Sequence, residues 1–322
     1  MENASYTSIK GIASAFDSVR SLGKLLAPED LTYLTEVSED ISPPEVLIHL
    51  SCMATYTPSI PLLAQKLLNL IGKSNLIMGG PDNCCGELHR LAQRPDLEKQ
   101  TAKVSMHEFG RSKPVRVVSI CPDCVQVFLS SRVGRMKYQY GAIASLFSEY
   151  MPLFEKHMKP LNMKVVLHTH SVNDEAVADA AEMRKIIERI PGLEIIESEK
   201  AHGPGIHCQT AFPMQPADRL VMYEEADRLG AQAIVVPYHS CYRQHCAAEL
   251  NHKVKVFHYL HLLAMSMGVG FVEEFKKVRL FNDIDLSMRY LTPKIEEYGL
   301  DADVVRAQVI KSIYANVVPE KH

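Results

Sequence analysis

No charge of one sign dominates this chain. Its 35 Lys and Arg face 38 Asp and Glu, a net charge of −3, which leaves no electrostatic footprint for nucleic acid or anionic lipid. Long apolar runs are missing too. The longest, YLHLLAMSMGVGF (259–271), is too short to span a bilayer and reads as a buried core helix. The opening MENASYTSIKGIASAFDSVR has no basic segment followed by an apolar one, so it does not read as a secretory signal. Neither MGG (78–80) nor GPG (203–205) has the G-x-G-x-x-G spacing, which argues against NAD or FAD on this chain. These absences predict a cytoplasmic protein with no membrane span and no nucleic-acid partner.

What is present is cysteine, and it is clustered. Of eight cysteines, five (Cys52, Cys84, Cys85, Cys121 and Cys124) fall within 73 residues. In a reducing compartment such clusters point to metal or redox chemistry rather than to structural disulfides. Cys84 and Cys85 are adjacent, and a ring closed across one peptide bond is strained.

The chain reads as strands alternating with helices, the pattern of a parallel α/β sheet. VLIHLS ends at Cys52, NLIMGG stops just before Cys84 and Cys85, and VRVVSI leads directly into Cys121 and Cys124. Functional residues of such sheets gather at the carboxyl ends of strands, so three distant cysteine groups can share one rim. The second half repeats the plan with NMKVVLHTHS, LEIIESEK and AQAIVVPYHSC. Offsets of 119 from Cys52 to Ser171, 123 from Cys85 to Cys208 and 117 from Cys124 to Cys241 indicate an internal duplication. The fold expected is two pseudo-repeated α/β domains (45–160 and 161–275) with metal sites at strand ends. An N-terminal extension (1–44) and a C-terminal helical tail (276–322) flank them.

The first-half spacing is C-x31-CC-x35-C-x2-C. One tetrahedral ion uses four thiolates, and five suit a multinuclear iron–sulfur site. Gly86 is expected to relieve crowding beside the cluster and Pro122 to stiffen the last hook. His89, on the following helix, could approach the cluster or sit at the surface.

The pattern Cys52, Cys84-Cys85-Gly86, Cys121-Pro122-Asp123-Cys124 resembles the cysteine-rich CCG domain of heterodisulfide reductase, in the subunit that carries two such motifs. The duplication and FHYLHLLAMSMGVG after the second hook resemble that family as well. The resemblance implies a noncubane [4Fe–4S] cluster on Cys52, Cys84, Cys85, Cys121 and Cys124. It also implies cleavage or formation of disulfides between small thiols. The eroded second motif is most similar to the CCG-domain relatives found in sulfur-oxidising heterodisulfide reductase-like complexes. That implies flavin and ferredoxin-type partner subunits, a lipoate-binding protein and a small thiol or disulfide substrate.

The second half lost thiols and became rich in imidazole. A mixed zinc site could draw on His168 or His170, Cys208, Cys241, and one of His207, His245 or Cys246. Alternatively His170 and His207 line a substrate pocket and protonate a departing thiolate, or the histidines, His239 among them, are remnants of the duplication. The rival function is a non-catalytic electron-transfer or assembly subunit with a structural zinc.

Overall fold

Val46–Leu50 forms strand β1, buried along its whole length, as parallel strands covered on both faces must be. In the computed structural model it is central to a sheet with β2 (Asn75–Gly79), β3 (Arg116–Ser119) and β4 (Gln139–Ala142). Residues 8–38, 40–131, 137–171, 173–203 and 216–314 are described. The order is β2-β1-β3-β4, all parallel. In the second half come β5 (Met163–Leu167), the two-residue β6 (Thr169–His170), β7 (Leu193–Ile195), the two-residue β8 (His202–Gly203), β9 (Ala233–Val236) and β10 (Lys255–His258). Their sheet runs β7-β5-β9-β10, the same second-first-third-fourth order.

Pairing register carries the duplication to single residues. Val46 pairs with Arg116 and Val165 with Ala233, reproducing the sequence offsets of 119 and 117. Continuing those offsets places His168 where His49 stands, His170 at Ser51, Tyr238 at Cys121 and Cys241 at Cys124. The architecture is therefore α/β with two repeated units.

Alternation along β1 separates two environments. Val46, Ile48 and Leu50 join an apolar core continuous with Val165, Val166 and Val235 of the second sheet. Leu47 faces the other way, into a smaller cluster with Phe109, Phe128 and the buried cysteines. The two units thus share one core, and the cysteines occupy the opposite face of the first sheet.

The segment preceding β1 takes part in this packing. Helix Ile9–Leu26 is capped by Ser8, whose side chain accepts from Gly11 N–H, and buries Ile12, Val19, Leu22 and Leu26. At its other end the Lys294 ammonium, from helix Ile284–Glu297, donates to the carbonyls of Leu25 (3.2 Å) and Ala27 (2.7 Å), satisfying acceptors that a helix end leaves open. Other expected elements form as read. The apolar stretch 259–271 supplies the buried helix Tyr259–Ser266, which stops before Gly268. The strands β4 and β10 had no distinct signal of their own.

Helix Asp174–Glu188 packs against helices from both units. Its Asp179 is 6% exposed, and Oδ1 has no hydrogen-bond partner among the described residues. Burial, with the charges of Glu175 and Glu182, pushes this carboxyl up to about 8. An unfolded Asp ionises near about pH 4, so from there to about pH 8 the folded chain keeps a proton that the unfolded chain loses. Stability then falls as pH rises, by up to about 1.4 kcal/mol per pH unit. Asp179→Asn is expected to remove this slope. Its Tm should match wild type at about pH 4 and exceed it at about pH 8; melts at both pH values check this, and equal Tm at the higher pH would refute it.

Candidate functional site

Each sulfur is presented by the turn that ends a strand. After β1 come Ser51 and Cys52, and the Cys52 carbonyl accepts from Thr55 Oγ1 at 3.1 Å. The last residue of β2 runs close against β1: Gly79 has φ +149° and a Cβ there would lie 2.0 Å from Leu50 O. The short turn Pro81–Asn83 then delivers Cys84 and Cys85. After β3, Cys121 is the N-cap of helix Pro122–Ser130, Pro122 its first residue, and Cys124 lies in its first turn. Proline is pre-organised for that first position.

Gly86 is needed for a reason other than the one expected from sequence. Its φ is +94°, and a Cβ would sit 2.6 Å from the carbonyl oxygen of Glu98. The close approach is to the backbone of helix Pro95–Arg111, behind the cysteines. Gly86 N–H also donates to Cys84 Sγ at 3.3 Å.

Thiol contacts run without a break from Cys52 to Cys84, Cys85, Cys124 and Cys121. Cys52, Cys84, Cys85 and Cys124 are buried and Cys121 is half-buried. Hydrogen bonds from Cys52 and Cys85 hold Cys84 well below the ordinary thiol range. Cys52 is raised by its bond to Cys84 and by burial. Cys85 accepts from Cys124 yet stays raised, because its own bond to Cys84 and burial outweigh that. Contacts with Cys121 and Cys85, together with burial, raise Cys124. One thiolate is favoured and its neighbours stay protonated, since like charges at contact in a dry site repel strongly. Five thiolates could coexist here only around cationic centres.

The sulfurs line a cavity of about 80 Å³. A water needs roughly 10–15 Å³ by the same measure, so the space admits a group of several atoms. Five donors exceed the four of one tetrahedral ion. The residues therefore fit a multinuclear, sulfur-ligated group.

Beneath the sulfurs lies a histidine that sequence reasoning passed over. His49 is fully buried between Phe109 and Phe128. Its Nε2 faces the Asn83 carbonyl at 3.0 Å and must donate to it. Nδ1 is then an acceptor for Ser119 Oγ–H at 3.2 Å, and Ser119 Oγ accepts from Cys121 N–H at 3.3 Å. Burial lowers the imidazole to about 4, so it stays neutral in this role. One ring thereby ties the Cys84 loop to the Cys121 loop. The available signal was a polar residue inside VLIHL with its counterpart at His168.

The second unit closes the cavity with Tyr238, His239 and Ser240. His239 Nε2 lies 3.2 Å from Ser51 Oγ, joining the two rims directly. His170, one of the two histidines favoured from sequence for the pocket, is not among the residues lining this cavity. His170 is stacked behind Tyr238, with its Nε2 3.0 Å from His168 Nε2 and 3.2 Å from Cys241 Sγ. His168, His170 and Cys241 thus converge, with ligand atoms within 4.8 Å of one another. Cys246 does not join them: its thiol faces the Arg243 carbonyl at 3.8 Å. His245 approaches His168, ring centres 4.6 Å apart. His89 is not among the residues lining the cavity. His207 and Cys208 lie outside the described residues.

Residues 46–128 match the family model of the cysteine-rich domain, CCG. That stretch runs from the first residue of β1 through all five cysteines. The chain is 23% identical over 172 residues to the "Probable iron-sulfur-binding oxidoreductase FadF" of Bacillus subtilis (strain 168), covering 51% of this chain and 24% of that protein. It therefore spans about a quarter of that relative's length. The crystal structure of a hypothetical protein from Helicobacter pylori is similar in fold. It has a TM-score of 0.50 and 10% identity, over 79% of this chain and 54% of that one. No helix among the described residues is long and apolar enough to cross a membrane.

Gly86→Ala should expose how tightly the CCG turn is set. Left-handed strain and the clash with Glu98 predict a loss of about 2–4 kcal/mol, read as a lower urea midpoint. An unchanged midpoint would mean that the turn can move.

Proposed function

We propose that Cys52, Cys84, Cys85, Cys121 and Cys124 hold a noncubane [4Fe–4S] cluster, and that the protein is the sulfur-handling subunit of a heterodisulfide reductase-like complex. The observation that carries this reading is the convergence of all five sulfurs on one cavity bordered by polar groups of the second unit. The match to the cysteine-rich domain and the iron–sulfur name of the Bacillus relative support an iron–sulfur redox protein. The five-cysteine pattern supports the finer assignment.

When bound, such a cluster supplies one-electron redox chemistry and iron with affinity for sulfur. The chain's own residues shape what reaches it. Met53, Leu88 and Pro122 give the cavity apolar walls, suited to a thiol, a disulfide or a lipoyl group and unfavourable to water. Ser51, His239 and Ser240 form its polar side and offer hydrogen bonds that orient a sulfur substrate. Reducing a disulfide to two thiols consumes two electrons and two protons, and forming one releases them. The electrons would pass to or from flavin and ferredoxin-type partner subunits, and a lipoate-binding protein would carry the substrate.

Anaerobically purified protein should hold about four irons with matching sulfide per chain, and Cys85→Ser should lose most of both. Small thiols, disulfides and a lipoylated protein should perturb the EPR spectrum of the oxidised form, because ligation changes the electronic environment of iron. His239→Ala should weaken that perturbation more than it lowers iron content. Full iron and an unchanged spectrum in Cys85→Ser would overturn the cluster assignment. If no substrate shifts the wild-type spectrum while partner-driven reduction stays fast, the protein is an electron carrier instead.

A further inference from the structure

We propose that His168, His170 and Cys241 form a mononuclear site for a late first-row divalent cation, zinc above all, in the second unit. The site is separate from the five-cysteine cavity and does not rest on the function proposed for it.

The geometry begins with a comparison of equivalent rings. His49 and His168 occupy the same strand position in the two units, and each faces a carbonyl from the loop after the neighbouring strand. His49 uses Nε2 for the Asn83 carbonyl. His168 uses Nδ1 for the Ala201 carbonyl, at 2.9 Å. The ring is turned over, and because a carbonyl only accepts, Nδ1 of His168 must carry the proton. Nε2 is then unprotonated, an acceptor that faces His170 Nε2 and contacts Cys241. A histidine that donates one N–H to a backbone carbonyl and presents the other nitrogen is the arrangement that orients metal-bound imidazole.

The remaining donors are held as firmly. β6 pairs with β8, setting His170 opposite Gly203, where a Cβ would sit 3.0 Å from His170 Nδ1. The bare glycine leaves that ring its place. Cys241 lies in helix His239–His245, and all three donors are buried. Zinc bond lengths put nitrogens of a tetrahedral site about 3.3 Å apart and nitrogen from sulfur about 3.6 Å. The 3.0 and 3.2 Å separations here need open by only a few tenths of an ångström. Two imidazoles and one thiolate suit zinc or cobalt, and three donors give the minimum protein set, with water or another donor completing four. An ion here would tie the β5–β6 hook to the helix whose first two residues, His239 and Ser240, form a wall of the cysteine cavity.

Full-length protein, purified anaerobically without chelators and supplied with Zn²⁺, should hold about one zinc per chain beyond its iron. Zinc-edge X-ray absorption should show imidazole nitrogen together with sulfur. His168→Ala, His170→Ala and Cys241→Ser should each lower zinc affinity at least about tenfold and leave iron content at the wild-type level. Cobalt loading of wild-type protein should give tetrahedral d–d bands with a thiolate charge-transfer band, a reading that survives if a variant fails to fold. Absence of bound zinc, an all-sulfur shell, or undiminished zinc affinity in all three folded variants would overturn the proposal. Iron is measured separately, so failure here is distinguishable from failure of the cluster assignment.

Discussion

Sulfur anions repel, and five sulfur atoms in contact inside a dry pocket cannot all ionise unaided. That constraint organises the first unit. Cys84 is favoured as thiolate, because Cys52 and Cys85 donate to it, and the raised Cys52, Cys85 and Cys124 keep their protons. Holding the set together then falls to neutral structure. Strand register brings three turns to one edge, Gly79 and Gly86 let backbone approach backbone, and His49 braces two of the turns from below. None of these supports contributes charge of its own, so the compensating charge must come from whatever the sulfurs bind.

Much of this was legible in sequence because it depends on order along the chain. Strand ends followed by cysteine, near-constant offsets and the proline of the last hook translate directly into three turns on one rim and two sheets of identical order. What escaped depends on direction in space. His239 was visible as one imidazole among several, but its position across from Ser51 follows from how the two units pack. For His170 the sequence leaves both a zinc site and a substrate pocket open, and its place behind Tyr238 follows from packing. The role of Gly86 was read toward the sulfurs, whereas its constraint comes from the helix on the other side. His49 looked like an interruption of an apolar strand, and its worth lies in carbonyl and hydroxyl partners from distant loops. Helix Ile9–Leu26, in the segment set apart in sequence, buries Val19, Leu22, Leu25 and Leu26 in the shared core and Ile12 in the smaller cluster.

The two units show how one scaffold position can serve different ends. A histidine below the rim braces turns when Nε2 meets the carbonyl, and presents a lone pair to the rim when Nδ1 does so instead. Exchanging Cys121 for Tyr238 and Ser51 for His170 changes the donor set from sulfur alone to mixed nitrogen and sulfur. No strand of the two four-stranded sheets has to move for this, since both exchanges occur beyond the last paired residue of those sheets.

The Lys294 contact bears on the timing of synthesis. It closes the first helix across 269 and 267 residues of chain, and Gly23 of that helix lies against Thr55 in the turn that follows Cys52. A ribosome delivers all five thiols long before residue 294 emerges, so the nascent pocket spends that interval without its final backing. The support behind the turn that follows Cys52 is therefore completed by a residue 267 to 269 positions downstream of the helix end.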